Sequence, residues 1–354
     1  MKSIHLVITD LILPNDFAAE ICSGLRLPAL EKMLARGAST GSARTGVGSD
    51  PSTGSGRTEE KSSLENYLCE LFGVPCQPDA PIAPVSALFD GLGGGCWLRA
   101  DPVPLRLQRD QLVLLPNVEV STGEAGQLCA ALNGHFTGQG MEFFAPHPQR
   151  WYVRLDQLPD IKTVPLSQAA GRNVNSLLPK GADALRWHQL FNEIQMLLFS
   201  HPVNEAREAR GKLPVNSLWF WGAGCNSDVA LQKTFDSVSS DEVMAEMFAS
   251  AANIPFAGWS DQWCDNETSG KQLLVWIGLR SALQRGDLDA WRAALQDFET
   301  GYAQPLWQAL RAGKIAQLQL DILGGDSVWR LLLSRADAWA FWRRSRPLAG
   351  CSLV

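Results

Sequence analysis

The stretch His201–Gly224, HPVNEAREARGKLPVNSLWFWGAG, decides how the chain is read. It predicts the end of a helix bearing His201, Asn204, Arg207 and Arg210, a turn at Gly211-Lys212-Leu213-Pro214, and an apolar strand, Ser217 to Trp221, closing on Gly222-Ala223-Gly224. Small residues at a strand's carboxyl end let backbone approach a ligand, and open α/β sheets bind ligands at that end. Asn204, Arg207 and Arg210 recur every three residues and so sweep one side of a helix, where two guanidiniums suit a phosphate or a carboxylate. A solvated helix face followed by an ordinary buried strand explains the same residues without a ligand.

The composition bounds the class. The chain has 354 residues, enough for two domains or one large α/β domain with an insertion, and 45% hydrophobic with 19% charged residues is the balance of a globular protein. A net charge of −6 supplies no basic footprint for nucleic acid. No apolar run approaches the ~20 residues that span a bilayer, and MKSIHLVITD opens a strand instead of a signal peptide, so the expectations are no membrane and a cytoplasmic location. Eight cysteines, at 22, 69, 76, 96, 129, 225, 264 and 351, lack paired spacing and are expected to be reduced, mostly buried thiols. Most of the late tryptophans, Trp259 to Trp342, are expected to anchor a core or a domain interface.

The stretch resembles a segment of the archaeal-type, cofactor-independent phosphoglycerate mutases of the alkaline phosphatase superfamily: His-x-x-Asn-x-x-Arg, then Gly, Pro-x-Asn, an apolar strand and Arg-Gly-x-Gly. His201, Asn204, Arg207, Gly211, Pro214, Asn216, Gly222 and Gly224 fall into place, whereas the arginine before Gly-x-Gly is replaced by Trp221, whose indole can stack or donate one hydrogen bond but carries no charge. The chain also resembles a proteobacterial group, the Rpf-type regulatory protein E proteins, with the same layout. The resemblance implies an α/β fold: an alkaline-phosphatase-like core sheet flanked by helices, with an inserted α+β cap domain. On that plan residues 1–85 form the first half of the core, with 39–61 a flexible Gly/Ser/Thr loop, 86–194 form the cap, and 195–354 form the second half with a C-terminal extension.

Taken in order, Ser3 to Thr9 reads as a strand with Asp10 at its carboxyl end, the counterpart of the superfamily's first metal ligand or simply a turn residue. Leu27 to Ala38 and Ser62 to Val74 read as helices. Ser63 is either the counterpart of the nucleophile that opens the latter helix or only its cap. In the insert, Arg99 and Asp101 share one face of an extended segment and Arg172 is a further anion contact or a salt-bridge partner. Ser240 or Asp241 caps a helix running to Ala251, Leu273 to Ile277 is a strand, Gly286 to Tyr302 a helix, and Ile315 to Ile322 a final strand followed by Asp326.

A two-metal phosphoryl-transfer site needs carboxylates and imidazoles together. The resemblance places histidine ligands after the Leu273 strand and after the final strand, but the five histidines stand at 5, 135, 147, 188 and 201, none beyond 201. Arg280 and Arg285 would put positive charge on the vacated ground. Asp10, Asp321 and Asp326 are the residues left for one oxygen-rich Mg²⁺ site. Two readings follow. One is a degraded, non-catalytic or weakly active mutase-like protein with a regulatory role and no cofactor, which binds a small phosphorylated metabolite or a protein partner through His201, Asn204, Arg207, Arg210, Arg99, Asp101, Arg172, Gly222 and Gly224. The other is an active Mg²⁺- or Mn²⁺-dependent phosphomutase or phosphatase with rebuilt ligation and Ser63 as nucleophile.

Overall fold

The computed structural model describes residues 2–13, 18, 20–39, 63–76, 79–115, 118–265, 269–324, 327–340, 345 and 347–350. Loop residues 40–61 and Asp326 lie outside them. The chain forms two compact units, one of Met1–Leu64 with Lys233–Val354 and one of Glu65–Gln232. Among the described residues no helix is long and apolar enough to cross a membrane.

The first unit is built on a seven-stranded sheet, ordered β10-β9-β11-β1-β12-β13-β2. Its strands are β1 (Lys2–Thr9), β2 (Ala38–Ser39), β9 (Ser237–Ser240), β10 (Phe256–Gly258), β11 (Gly270–Trp276), β12 (Gln317–Gly324) and β13 (Ser327–Ser334). β1, β9, β10, β11 and β12 run parallel, whereas β13 and β2 are antiparallel additions at one edge. Period-2 alternation sorts β1: Ile4, Leu6 and Ile8 enter a large apolar core, while His5 and Thr9 are buried on the opposite face. That core is closed by α1 (Pro28–Arg36), α9 (Leu288–Phe298) and α10 (Gln304–Ala312). α1 lacks a side-chain cap of its own, and the buried Glu299 carboxylate accepts the N–H groups of Ala29 and Leu30 at 2.7 and 3.0 Å instead. Trp263, Trp276, Trp291 and Trp307 are buried in this core, as expected, but Trp339 is half exposed.

The second unit has a four-stranded antiparallel sheet, β6-β7-β3-β8, from β3 (Cys96–Val103), β6 (Met141–His147), β7 (Arg150–Leu155) and β8 (Ser217–Cys225), with a small hairpin of β4 (Leu105–Gln108) and β5 (Gln111–Leu114). Leu98, Ala100, Trp151, Val153, Leu218 and Phe220 pack with α4 (Thr122–His135) and α5 (Ala184–Phe199). Trp97 and Tyr152 point the other way and meet Ala83 and Ala87 of α3 (Ile82–Phe89). This unit is wider than the 86–194 read from the sequence. The reason is β8: Ser217–Cys225 pairs along β3, so the strand that opens the second half of the core in the resemblance is part of the insert's own sheet here.

Candidate functional site

Parallel α/β sheets place ligands at the carboxyl ends of their strands. In the first unit that edge brings together Asp10 after β1, Asp241 and Glu242 after β9, and Arg280, the first residue of α8 (Arg280–Gln284), after β11. Asp10 has φ +60°, a left-handed conformation that short polar side chains tolerate better than most. Its N–H donates to Leu323 O, its carbonyl accepts the Trp291 indole N–H at 3.2 Å, and its carboxylate accepts from Arg280 Nε at 3.3 Å. The same guanidinium stands 3.9 Å from Glu242. Glu242 caps α7 (Val243–Ala251) by accepting from Met244 N–H, and Asp241 accepts the Ile277 N–H at 2.9 Å. Burial raises the Asp241 pKa above the usual aspartate value, and the Ile277 hydrogen bond and nearby Arg280 offset that only in part.

The metal centre that the resemblance implies does not fit this edge. A guanidinium lies against the first-strand carboxylate, and among the described residues no group of three His, Cys, Asp or Glu side chains is arranged to hold an ion. Nor do Asp10 and Asp321 converge. Asp321 pairs across from Val7, three residues before Asp10, so the two sit about 10 Å apart along the strand. The Asp321 carboxylate is fully buried and accepts from His5 Nε2 at 2.6 Å and from Gln319 Nε2 at 2.8 Å. Ser63 is buried one residue ahead of α2 (Leu64–Leu71).

The residues of the 201–224 stretch come together in the second unit, and protein groups occupy them. His201 caps α6 (Pro202–Ala209), its Nδ1 accepting from Val203 N–H. Asn204 donates to Leu198 O and Val215 O and accepts from Val215 N–H. Arg207, 1% exposed, donates to Leu213 O, Glu119 O and Glu124 Oε2 at 2.8–2.9 Å. Arg210 takes the other Glu124 oxygen at 3.0 Å. Burial works against the Glu124 carboxylate, but hydrogen bonds from Ser121 and the two guanidiniums outweigh it and hold the pKa below the ordinary glutamate value. The row of polar residues expected to face an anion therefore ties α6 to α4 and to the start of β8.

Arg99 and Asp101 do share a face, and they grip each other: Nε and Nη2 of Arg99 donate to Asp101 Oδ1 at 3.1 and 2.7 Å. Trp221, standing where the resemblance has arginine, both stacks and donates. Its indole N–H reaches Asp101 Oδ2 at 2.7 Å, and the Arg99 guanidinium lies 5.1 Å over its ring, with Tyr152 at 5.2 Å. Arg150 pairs with Asp90, so each cation of this group has its own carboxylate. Arg172 is exposed: its guanidinium donates to the Gln168 carbonyl of its own turn, and its backbone bonds to Ala169 O and Leu114 N–H. Gly222 and Gly224 lie inside β8, and their missing side chains admit Ile82 and Pro81: a Cβ on Gly224 would stand 2.5 Å from that of Pro81. The close backbone approach expected there is real, but α3 is what approaches.

The sequence marks Asp241 only as a candidate helix cap, with Glu242 beside it. Nothing local marks them as neighbours of Asp10. The parallel order β9-β11-β1 makes them so.

No family model matches the chain. A protein of Geobacter sulfurreducens described as a probable 2,3-bisphosphoglycerate-independent phosphoglycerate mutase is 34% identical over 109 residues, 30% of this chain and 27% of that protein. The 2,3-bisphosphoglycerate-independent phosphoglycerate mutase of Methanosarcina acetivorans is 27% identical over 215 residues, 58% of this chain and 50% of that protein. The chain is a divergent relative of the cofactor-independent phosphoglycerate mutases. It spans between about a quarter and a half of the length of these curated relatives. The PH0037 protein of Pyrococcus horikoshii superposes on 94% of this chain and 87% of its own with a TM-score of 0.53 at 13% identity, a likeness of fold. The expected α/β architecture, a helix-flanked core sheet interrupted in sequence by an α+β unit, is the one observed.

Proposed function

We propose that this mutase relative has given up metal-dependent phosphoryl transfer and acts by binding a partner in a regulatory role. The observation that supports this is the Arg280 side chain against Asp10 and Glu242: a fixed monocation stands beside the carboxylate that would hold a divalent one. Loss of several members of a unit that acts together removes most of its rate. Of the two classes of partner, a protein is better supported than a phosphorylated metabolite. Arg99, Arg207 and Arg210 already have carboxylate partners, whereas α5 exposes Leu185, Met196 and Phe199 at 71, 77 and 79%. The reading is of a cytoplasmic protein needing no cofactor. The test is elemental analysis of the purified chain together with conversion of 3-phosphoglycerate to 2-phosphoglycerate in Mg²⁺ or Mn²⁺. The expected result is no stoichiometric metal and no turnover. Turnover abolished by both Asp10→Ala and Ser63→Ala would establish the enzyme instead.

A further inference from the structure

Cys96 and Cys225 are joined in a disulfide, contrary to the expectation that all eight cysteines are thiols. Sequence spacing hid the pair because 129 residues separate them; the antiparallel register of β3 and β8 sets them directly opposite each other. Cys22, Cys69, Cys76, Cys129 and Cys264 are not disulfide-bonded, and Cys264 is exposed. A chain that keeps several thiols beside one disulfide has the pattern of a bond made and broken in place more than that of a stapled secreted domain.

The surroundings favour that chemistry at this pair. Both sulfur-bearing residues are half-buried, and Gly93, Gly94 and Gly95 just before Cys96 set no side chain over it. The bond lies at the end of the β3–β8 ladder, outside the buried Trp97, so opening it leaves the core closed. Cys129 is shielded, its pKa pushed up to about 11 mainly by burial, and the fully buried Cys69 is raised by its hydrogen bond with Cys76 and by burial. Just beyond Cys225, Asn226 N–H donates to Gly95 O and Asn226 Oδ1 accepts from Gly95 N–H, extending the ladder by one residue, and Gln232 N–H donates to Phe72 O.

We propose that Cys96–Cys225 is a reversible redox staple that controls the order of β8's end and of residues 226–232, the last of the second unit. Oxidation by hydrogen peroxide proceeds in two steps. One thiolate attacks the peroxide oxygen, giving a sulfenic acid and water; the second thiol attacks that sulfur, closing the S–S bond and releasing a second water. An external dithiol reverses it through a mixed disulfide, leaving two thiols here and a disulfide on the reductant.

The test equilibrates the full chain in glutathione buffers of graded poise. Differential alkylation with peptide mass analysis measures the Cys96–Cys225 bond, and hydrogen exchange follows 217–232. The bond should interconvert within the range of these buffers, with exchange across 217–232 about tenfold faster when reduced and that of β6 and β7 unchanged. The Cys96→Ser and Cys225→Ser variants should exchange like the reduced chain at every poise. If either is unfolded, the wild-type chain before and after dithiothreitol makes the comparison alone. A bond that persists at every poise, one that forms at none, or one that interconverts without altering exchange at 217–232 overturns the proposal. None of these results depends on whether the first unit binds metal.

Discussion

Arg280 Nε lies 3.3 Å from Asp10 Oδ2, across 270 residues of sequence, at the carboxyl edge of the first unit's parallel strands. Each side chain is partly screened by protein, 21% and 32% exposed, so the pair is worth about 0.5–1 kcal/mol. Arg280→Gln should cost about that much in urea unfolding. Asp10→Asn in the same background should add little, because the coupling is already gone. Additive losses would show that the two side chains do not interact.

The backbone of Asp10 gives an independent check. At φ +60° an aspartate is tolerated and a β-branched residue is not. Asp10→Val should therefore destabilise by about 1–3 kcal/mol beyond the loss of the ion pair, whereas Asp10→Gly should recover backbone strain while losing the charge. Unfolding midpoints that rank Gly above Val are expected. Equal midpoints would mean that the turn relaxes freely.

Much of the fold was legible in the sequence, and the site was not. The 3.6-residue pattern in Leu27 to Ala38 and Ser62 to Val74 and the apolar runs at Leu273 and Ile315 correspond to α1, α2, β11 and β12, because each element's period is set by its own core face. β13, SVWRLLLS, went unread: it pairs antiparallel along β12, a strand that the expected order of elements did not include. Arg207 shows why site residues are harder. Its spacing on α6 is the same whether the guanidinium meets a phosphate or Glu124, and Glu124 lies 83 residues earlier on another helix. The missing late imidazoles could be read directly, since an absence of residue types needs no fold.

Arg207 and Arg210 should separate in stability. Removing the buried Arg207 strands two carbonyls and part of Glu124, so Arg207→Ala should cost about 3–5 kcal/mol. Arg210 is 55% exposed at its side chain, and Arg210→Ala should shift stability by no more than about 1 kcal/mol. An anion site on this helix face would instead make both substitutions weaken phosphate binding while leaving stability alike, which thermal shifts in 3-phosphoglycerate would reveal.

Two carboxyls should respond to pH with opposite signs. The folded pKa of Glu124 is depressed, so its contribution is fully present above the unfolded value of about 4.3 and is lost as pH falls through the folded pKa. Glu124→Gln should therefore be destabilising at neutral pH, with the difference closing in acid. The folded pKa of Asp241 is raised, so the folded state holds its proton longer and stability drops as pH rises past the unfolded value of about 3.9. Asp241→Asn, whose Oδ1 can still accept from Ile277 N–H, should stabilise at neutral pH and lose that advantage in acid. Urea unfolding from pH 3 to pH 7 tests both signs, and a parallel response of the two variants would contradict the assignments.

Trp221 gives the sharpest contrast between ancestry and present structure. The mutase resemblance puts arginine there, so restoring it is the direct attempt to recover a phosphate contact. In this chain the indole donates to Asp101 Oδ2 and lies under Arg99, while Asp101 already accepts both Arg99 donors and the Trp151 N–H. Trp221→Phe keeps the stack and drops one hydrogen bond to a buried carboxylate, at a cost of about 1–3 kcal/mol. Trp221→Arg would bury a second guanidinium beside Arg99 with one carboxylate between them, and should be destabilised further than Trp221→Phe. Adding Arg99→Ala to Trp221→Arg should then recover part of the loss by leaving one cation for Asp101. Denaturation of the two single variants and the double one measures the coupling, and an arginine tolerated as well as phenylalanine would show that position 221 has stayed open to charge.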